Sequence, residues 1–332
     1  MDLPGIAFFD TKPYTRKVFT EMNAGYGFPL KFFAHRLDAD TAVKAKGLAV
    51  VCAFVNDRLD RAAVDALVAQ GTGLLALRCA GFNNVDLAAA KGRLQVVRVP
   101  AYSPEAVAEH AVALMLCLDR KLHKAYARTR EANFNIEGLL GFNLSGKTAG
   151  IIGTGRIGQA LARILRGFGM TVLAYDPFPD AEAAASLGMA YVALEELLGR
   201  AHIVSLHCPL TPDTHHLIDA RRLALMRDGV MLINTGRGAL IDSPALIQAL
   251  KARKVGYAGL DVYEEEEECF FEDKSATGLE DDVLSRLLSF PNVLVTSHQG
   301  FFTQEALEEI ARITLESVRA FAEGRALENE VR

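Results

Sequence analysis

The chain has 332 residues, of which 50% are hydrophobic and 23% are charged, so it has room for two folded domains, each with its own core. Its net charge of −5 at pH 7 argues against nucleic acid or an anionic membrane surface as a partner. The apolar runs are too short to cross a bilayer, and the first residues lack the pattern of a signal peptide. The five cysteines are scattered without disulfide or metal spacing, so we expect free thiols, a cytoplasmic protein and no bound metal.

Residues 1–100 alternate between short apolar runs and helical or turn segments, which predicts a parallel sheet. The expected strands are Ile6–Phe9, Leu30–Phe33, Ala49–Val55, Leu74–Leu77 and Val96–Val99. No glycine-rich turn typical of dinucleotide binding follows them. This region is therefore expected to supply one wall of a cleft rather than the cofactor site.

A long helix is predicted to begin where Ser103 is a good N-cap and Pro104 suits the first helical position. The residues that follow, 105–126, are apolar on nearly all sides through the middle of the helix. Such a helix has to be buried on two sides, against another domain or another subunit. This is the sequence argument for a homodimer or homotetramer. His110 within the helix is interpreted as an ordinary polar residue.

The strongest motif joins an apolar strand, Ala149–Ile152, to a helix through a glycine-rich turn. Gly153 permits the tight turn, Gly155 lets a pyrophosphate approach the backbone, and Gly158 lets the helix pack on the strand. The helix N-terminus offers N–H groups and a favourable dipole to the phosphates. Asp176 stands roughly eighteen residues after Gly158, where a carboxylate accepts from the ribose hydroxyls of an adenosine. No arginine adjoins it, so NAD is favoured over NADP.

Polar and charged residues follow the later predicted strands. These strands are His202–Leu206, Val230–Asn234, Tyr257–Leu260 and Val293–Thr296, with a short edge strand at Tyr191-Val192. The residues after them include His207 and Pro209, then Thr235 and Arg237, then Asp261 and an acidic run, and finally His298. In a doubly wound sheet, ligands gather outside the carboxyl ends of the strands. An arginine, a carboxylate and a histidine are therefore expected to converge beside the nicotinamide end of the cofactor.

The last predicted helix, Glu305–Glu323, is amphipathic and ends at Gly324. We expect it to return to the first domain, which makes the cofactor-binding domain an insertion. The crossovers are then expected near residues 100–102 and near Gly300.

Several motifs lie along the chain: CAGFNNVD at 79–86, VPAYSPEAVAEHA at 99–111, GTGRIG at 153–158, SLHCPLT at 205–211, NTGRGALID at 234–242, DVYEEE at 261–266 and SHQGFFT at 297–303. Together they resemble the D-2-hydroxyacid dehydrogenases, and ECFFEDKS at 268–275 resembles the fermentative D-lactate branch of that family. The resemblance covers nearly the whole chain.

The resemblance implies an α/β fold with two doubly wound parallel-sheet domains. A Rossmann NAD-binding domain, 102–299, would be inserted into a flavodoxin-like substrate domain formed by 1–101 and 300–332. The implied reaction is the reversible, NADH-dependent reduction of pyruvate to D-lactate. Another small 2-oxo acid, such as glyoxylate or hydroxypyruvate, stays open as the substrate, and so does an NAD-sensing scaffold protein. The residues themselves do not fix oligomer size, physiological direction, allosteric regulation or stereochemistry.

The resemblance also implies roles for individual residues. Arg237 would bind the substrate carboxylate and carbonyl, His298 would be the acid–base, and Glu266 would orient His298. The substrate site would include the backbone at Ala80 and Gly81 and the side chains of Phe54, Tyr102 and Phe301. Cofactor binding would involve Gly153, Gly155, Arg156, Ile157, Gly158, Asp176, His207, Pro209, Thr235 and Asp261.

The choice of Glu266 depends on the resemblance, because residues 264–268 are all glutamates. The family pattern usually has a neutral residue before the catalytic glutamate. Composition leaves every member of the run open, and a solvated acidic loop accounts for most of it. The distance from Asp261 in the family motif selects Glu266.

Reduction of a 2-oxo acid requires a cation for the carboxylate and an acid for the developing alkoxide. The planar guanidinium of Arg237 matches a carboxylate better than a lysine would. His298 would donate a proton during reduction and accept one during oxidation, while Glu266 would fix its tautomer and favour imidazolium. The aromatic side chains of the implied pocket favour the smallest acids. The remaining histidines that we considered are interpreted as structural: His35, His123, His202, His215 and His216.

Overall fold

The computed structural model describes residues 3–266 and 269–331. Its contacts divide the chain into a first unit, which runs up to Ser103 and resumes at Phe302, and a second unit, Pro104–Phe301. The domain boundaries proposed from the sequence each lie two residues from these positions. The C-terminal helix packs within the first unit, so the second unit is inserted into the first.

Both units are built from parallel strands connected by helices. In chain order the strands are β1 (Ile6–Phe8), β2 (Leu30–Phe32), β3 (Val50–Ala53), β4 (Leu74–Leu77), β5 (Gln95–Val97), β6 (Thr148–Ile152), β7 (Thr171–Tyr175), β8 (Met189–Tyr191), β9 (Ile203–Leu206), β10 (Val230–Asn234), β11 (Val255–Leu260) and β12 (Val293–Val295). The helices are α1 (Pro13–Met22), α2 (Arg61–Ala69), α3 (Leu87–Ala90), α4 (Pro104–Arg120), α5 (Leu122–Arg130), α6 (Arg156–Gly167), α7 (Ala181–Leu187), α8 (Leu194–Arg200), α9 (Ala220–Leu225), α10 (Ser243–Lys251), α11 (Asp282–Leu288) and α12 (Gln304–Ala322). Each strand predicted from an apolar run is present to within two residues at either end.

The sheet of the first unit has the order β2-β1-β3-β4-β5, with every pairing parallel. This is the flavodoxin-like order of a doubly wound sheet. All residues of β3 and β4 are buried, which explains why these strands are continuous apolar runs instead of alternating patterns. Helix α12 contacts both α1 and β4.

The sheet of the second unit has the order β12-β11-β10-β9-β6-β7-β8, and it is also parallel. From β6 the chain adds strands first on one side, β7 and β8, and then on the other side, beginning with β9. The position between β6 and β9 is therefore the switch point of a Rossmann fold. One hydrophobic cluster joins the sheet to helices α8 to α11, and another joins its opposite face to α4, α6 and α7. The predicted fold class, two doubly wound α/β domains with a Rossmann domain, is confirmed.

The single helix predicted over 105–126 is wrong, because the chain forms two helices there. Lys121 has a φ of 52°, which breaks the α-helical path between α4 and α5. The break lies beside a tertiary contact, since the buried carboxylate of Asp119 accepts from the backbone N–H of Phe142 at 2.7 Å. Helix α4 packs on α6, β10 and β11 within its own unit. Its apolar faces are thereby covered, so this helix is not by itself an argument for an oligomer.

Candidate active site

The residues predicted to carry the chemistry follow adjacent strands of the second unit. His207 follows β9, Arg237 follows β10, Glu266 follows β11 and His298 follows β12. These strands are consecutive neighbours in the sheet and run parallel. Their carboxyl ends therefore meet at one sheet edge, which is where doubly wound folds bind ligands.

His298 and Glu266 form a direct pair. Nδ1 of His298 lies 2.7 Å from Oε1 of Glu266, and Oε2 of the same carboxylate accepts from the backbone N–H of Tyr263 at 3.0 Å. The side chains of His298 and Glu266 are 17% and 16% exposed, so both remain open to a small ligand. Within the described residues Nε2 of His298 makes no hydrogen bond. The carboxylate thus fixes one ring nitrogen and leaves the other for proton exchange.

The backbone around His298 is held by Asp261. The N–H of His298 donates to the carbonyl of Asp261 at 2.7 Å, and His298 itself has a φ of 48°, in the left-handed region. The Asp261 carboxylate accepts from the N–H groups of Gln299 at 2.9 Å and Gly300 at 2.8 Å. These bonds hold a conformation that non-glycine residues rarely adopt.

Two further side chains bind the same buried carboxylate. Thr296 Oγ1 donates to Asp261 Oδ1 at 2.6 Å, and His110 Nε2 lies 3.2 Å from that oxygen. Burial raises the pKa of Asp261, but the hydrogen bonds from His110 and Thr296 outweigh it, and the net pKa is lowered. The Asp261 carboxylate is consequently ionised, and groups of the protein itself fill its hydrogen-bonding positions. Asp261 thereby fixes the backbone of the loop that carries His298.

Arg237 stands on a loop that Asn234 fixes. Asn234 Nδ2 donates to the Arg237 carbonyl at 2.9 Å, and its Oδ1 accepts from the Gly236 N–H at 3.0 Å. A Cβ on Gly238 would lie 2.0 Å from the carbonyl carbon of Tyr263, so this loop packs directly on the loop that carries Glu266. Arg237 is partly exposed, and Nη1 donates to the carbonyl of Gly236 at 2.8 Å.

The glycine-rich turn has the geometry of a dinucleotide cradle. Gly153 has a φ of 93°, and a Cβ there would lie 2.4 Å from the backbone nitrogen of Cys208. A Cβ on Gly158 would lie 2.1 Å from the Gly153 carbonyl oxygen. At Gly155, by contrast, no heavy atom lies within 4 Å of the Cβ position. Two glycines are therefore required by packing, and the third leaves open space where a pyrophosphate can approach the backbone.

Asp176 is oriented at the end of β7 by the same turn. Its Oδ2 accepts from the N–H and the hydroxyl of Thr154, at 2.7 and 3.1 Å, and its Oδ1 accepts from the Phe178 N–H at 2.9 Å. The phenol of Tyr191 lies 2.8 Å from the Thr154 hydroxyl. A carboxylate has about four acceptor positions, so Asp176 keeps capacity for a ribose hydroxyl.

Two polar groups stand at the neighbouring strand ends, a buried hydroxyl and a partly exposed imidazole. Thr235 Oγ1 is buried and, among the described residues, has no hydrogen-bond partner. Burial lowers the pKa of His207 to about 4, so its ring is neutral at physiological pH, and its Nε2 lies 2.8 Å from Ser205 Oγ. A bound dinucleotide would fill the open space at Gly155, and the Thr235 hydroxyl is available to it as a hydrogen-bonding group. The other predicted cofactor residues lie nearby in sequence, with Arg156 and Ile157 opening α6 and Pro209 following His207.

The substrate residues predicted in the first unit lie after its own strands. The N–H of buried Phe54 donates to the Asp57 carboxylate at 2.6 Å, and its carbonyl accepts from Asn84 Nδ2 at 3.0 Å. The carbonyl of Ala80 accepts from Arg98 at 2.9 Å, and that of Gly81 accepts from Cys79 Sγ at 3.2 Å. Tyr102 follows β5 and is partly exposed. In the second unit, buried Phe301 lies edge-on to His298, with the ring centroids 6.5 Å apart.

Comparison with known proteins places the chain in a family. The model for the D-isomer specific 2-hydroxyacid dehydrogenase, NAD binding domain, matches residues 112–300. The chain belongs to this family of dehydrogenases. It is 53% identical over 327 residues to a 2-hydroxyacid dehydrogenase homolog of Haemophilus influenzae, covering 98% of both chains. It is 52% identical over 327 residues to D-lactate dehydrogenase of Escherichia coli, covering 98% of this chain and 99% of the relative.

A solved structure agrees with the relatives. The pyruvate reductase of Chlamydomonas reinhardtii superposes with a TM-score of 0.94 at 44% identity, covering 99% of each chain. As a D-2-hydroxyacid dehydrogenase, the protein is an NAD-dependent oxidoreductase, and the predicted cofactor is confirmed. Over the described residues, no helix has both the length and the apolar character needed to span a bilayer. The cytoplasmic location stays a prediction.

Sequence reasoning missed the residues that hold the dehydrogenase site in place. His110 was interpreted as an ordinary polar residue, but it reaches Asp261 and Thr296 from helix α4. Thr154 and Tyr191 were not singled out, although they bind Asp176 and each other. A histidine in an otherwise apolar helix is the sequence signal that could have drawn attention to His110.

Proposed function

We propose that the protein catalyses the reversible, NADH-dependent reduction of pyruvate to D-lactate. The observation that carries this proposal is the contact between His298 and Glu266. The loop that carries Glu266 also packs against the loop that carries Arg237. A relative that is 52% identical is named D-lactate dehydrogenase, and a solved structure with 44% identity is named pyruvate reductase. Glyoxylate and hydroxypyruvate are the alternative substrates for the same residues.

In this proposal the protein residues divide the work among charge, proton and orientation. Arg237 binds the substrate carboxylate and carbonyl oxygens through its guanidinium N–H groups. Nε2 of His298 donates a proton to the carbonyl oxygen during reduction and accepts it during oxidation. Glu266 holds the ring through Nδ1 and stabilises its protonated form. The bound cofactor supplies the hydride.

The cofactor would be held by the second unit. The N–H groups at Gly155, Arg156 and Ile157 would face the pyrophosphate, with Gly153 and Gly158 shaping the turn. Asp176 would accept from the adenosine ribose. His207, Pro209 and Thr235 would border the adenine and nicotinamide ends, and Asp261 would act through the loop that it binds.

The substrate site would also use residues of the first unit. The backbone at Ala80 and Gly81 would hold a carboxylate oxygen, and Phe54 and Tyr102 would limit the size of the acid together with Phe301. Aromatic side chains of this kind favour a small methyl-bearing substrate over long-chain acids.

A homodimer or homotetramer is part of the proposal. Phe134, Ile136 and Leu140 of the second unit are 76%, 80% and 88% exposed, all within one short segment after α5. Apolar side chains clustered in this way are typical of a protein interface. The mass of the particle by light scattering tests the assembly.

The experiment that tests the function measures NADH consumption with a series of 2-oxo acids and then resolves the enantiomers of the product. Fastest turnover with pyruvate and formation of D-lactate are expected. Faster turnover with glyoxylate or hydroxypyruvate would transfer the proposal to that acid. Tight NADH binding without turnover of any 2-oxo acid would overturn the reaction while leaving the cofactor site intact.

A further inference from the structure

A second cluster of titratable side chains lies in the second unit, apart from the His298–Glu266 pair. It comprises His215, His216 and Glu264, and one potential ligand atom of each lies within 4.8 Å of the others. Nε2 of His216 contacts Oε1 of Glu264, and the rings of His215 and His216 stack with centroids 4.0 Å apart. The cluster thus combines two imidazoles and one carboxylate at the protein surface.

The backbone holds the two histidines in this arrangement. His216 has a φ of 50°, and its N–H donates to the Ala239 carbonyl at 2.7 Å. The preceding turn is closed by Thr214 Oγ1, which donates to the Pro209 carbonyl and accepts from the Thr211 N–H, both at 2.7 Å. A left-handed backbone conformation at a histidine costs free energy. The hydrogen bonds of this turn offset that cost and fix the orientation of the two histidines.

We propose that His215, His216 and Glu264 bind a divalent transition metal ion of the Zn²⁺ class. Two imidazole nitrogens and one carboxylate oxygen form a common zinc ligand set, with water as the fourth ligand. Mg²⁺ and Ca²⁺ prefer oxygen ligands only, so this donor set disfavours them. Exposure of His215 gives an ion access from solvent.

Small side-chain movements would bring the three ligand atoms to metal-binding distances. Ligand atoms at about 2.0–2.2 Å from a tetrahedral metal are separated by about 3.3–3.6 Å. The contact between His216 Nε2 and Glu264 Oε1 is shorter than this, so these two side chains have to separate slightly to admit the ion, while His215 has to rotate towards it.

The ion would connect two segments near the catalytic loops. Glu264 stands two residues before Glu266 in the chain. A Cβ on Gly238 would lie 2.3 Å from the Glu264 nitrogen, so the Arg237 loop packs on the same peptide. Binding at the cluster would therefore tie the His215–His216 turn to the loop that carries Glu266. The ion takes no part in the proposed proton or hydride transfer.

The test is a titration of chelator-treated protein with Zn²⁺ by calorimetry and with Co²⁺ by visible absorption. One ion per chain is expected, with the absorption bands of Co²⁺ bound to nitrogen and oxygen. His215→Ala and Glu264→Gln should each weaken binding at least ~10- to 100-fold, the loss seen when a residue that supports a metal ligand is removed. Glu265→Gln is the matched control, since it removes the same charge one residue away and should bind like the unmodified protein.

Three results would overturn the proposal. One is the absence of stoichiometric binding, and another is equal affinity in His215→Ala, Glu264→Gln and the control. The third is a thiolate-to-Co²⁺ charge-transfer band, which would assign the ion to cysteine. His216→Asn gives a second variant, because asparagine tolerates the left-handed backbone but removes the imidazole. All of these readouts are independent of turnover, so they do not depend on the proposed reaction.

Discussion

The charged residues near the carboxyl ends of the two sheets are used in opposite ways. In the second unit, the side chains of Arg237, Glu266 and His298 are partly exposed. Arg237 and His298 each use one nitrogen of the side chain for a hydrogen bond within the described part of the chain. In the first unit, Arg78 and Asp57 are 4% and 1% exposed. Both sheets are doubly wound and parallel, so the difference does not come from topology.

The side chain of Arg78 is bound by backbone carbonyls and an aromatic ring of the first unit. Nη2 donates to the carbonyls of Phe9 and Asp10, both at 2.8 Å, and the guanidinium lies 4.8 Å from the Phe54 ring centroid. The Asp57 carboxylate accepts from the N–H groups of Leu37 and Phe54, each at 2.6 Å. These hydrogen bonds fix the loop that carries Phe54, and the burial of both side chains limits their access to a substrate.

Arg237 and Arg78 differ in burial and in the number of hydrogen bonds that their guanidinium groups make with the protein. An arginine buried among carbonyls stabilises the fold and costs much when removed. A partly exposed arginine with one intramolecular bond keeps most of its five N–H groups for a ligand. Arg237 is therefore the better candidate for a ligand-binding charge, and Arg78 for a structural one.

The largest expected effect compares Arg237→Gln with Arg78→Gln. Arg237→Gln should lower kcat/KM for pyruvate by about 10³- to 10⁴-fold, because a charge-assisted carboxylate contact is lost. NADH affinity and the free energy of unfolding should remain unchanged. Arg78→Gln should instead destabilise the protein by about 3–5 kcal/mol, because buried partners are left unpaired. Kinetics, NADH titration and denaturant unfolding measure the three quantities.

Loss of NADH binding in Arg237→Gln would contradict the assignment of this residue to the substrate. Unchanged stability in Arg78→Gln would remove the contrast between the two sheet edges.

The next largest effect is a difference between the two units in how their stability against unfolding depends on pH. Burial lowers the pKa of His207 to about 4, so the unfolded chain binds the extra proton, and stability falls as the pH drops from about 6.5 towards 4. Burial raises the pKa of Asp57 to about 6 despite the opposing charge of Arg78, so stability there falls as the pH rises from about 4 to 6. Each contribution is on the order of 3 kcal/mol.

Hydrogen exchange followed by mass spectrometry can report on each unit separately. Between pH 4 and 6, His207→Asn should flatten the pH dependence of opening in peptides of β6 and β9, after correction for intrinsic exchange. Asp57→Asn should change it in peptides of β3 and β4 with the opposite sign. The same sign in both units would show that the two buried groups do not differ as described.

The strands and the cofactor turn could be predicted because their signals are local. A strand buried on both faces, such as β10, is a continuous apolar run, and the turn at Gly153 requires glycines at fixed spacing. The resemblance then supplied Glu266 from within an acidic run in which local pattern favoured no single residue. The structure places this glutamate, 2.7 Å from His298, at the position that the motif spacing indicated.

Long-range contacts between side chains could not be predicted from local pattern. His110 and Thr296 are 186 residues apart in the chain, and His216 and Glu264 are 48 apart. The apolar helix around His110 makes that residue conspicuous but does not identify its partners, and the residues around His216 are those of an ordinary surface turn. The break at Lys121 was missed for the same reason, because lysine has no preference for a left-handed backbone and the nearby contact is tertiary.

The smallest effect expected among these variants distinguishes Glu266 from its neighbours. Glu266→Gln should lower kcat for pyruvate reduction by roughly 10- to 100-fold, because the amide orients His298 without stabilising its protonated form. Glu265→Gln removes the same charge from an exposed position and should change kcat by less than about 2-fold. Equal losses in the two variants would mean that the charge of the acidic run, and not the contact with His298, supports the reaction.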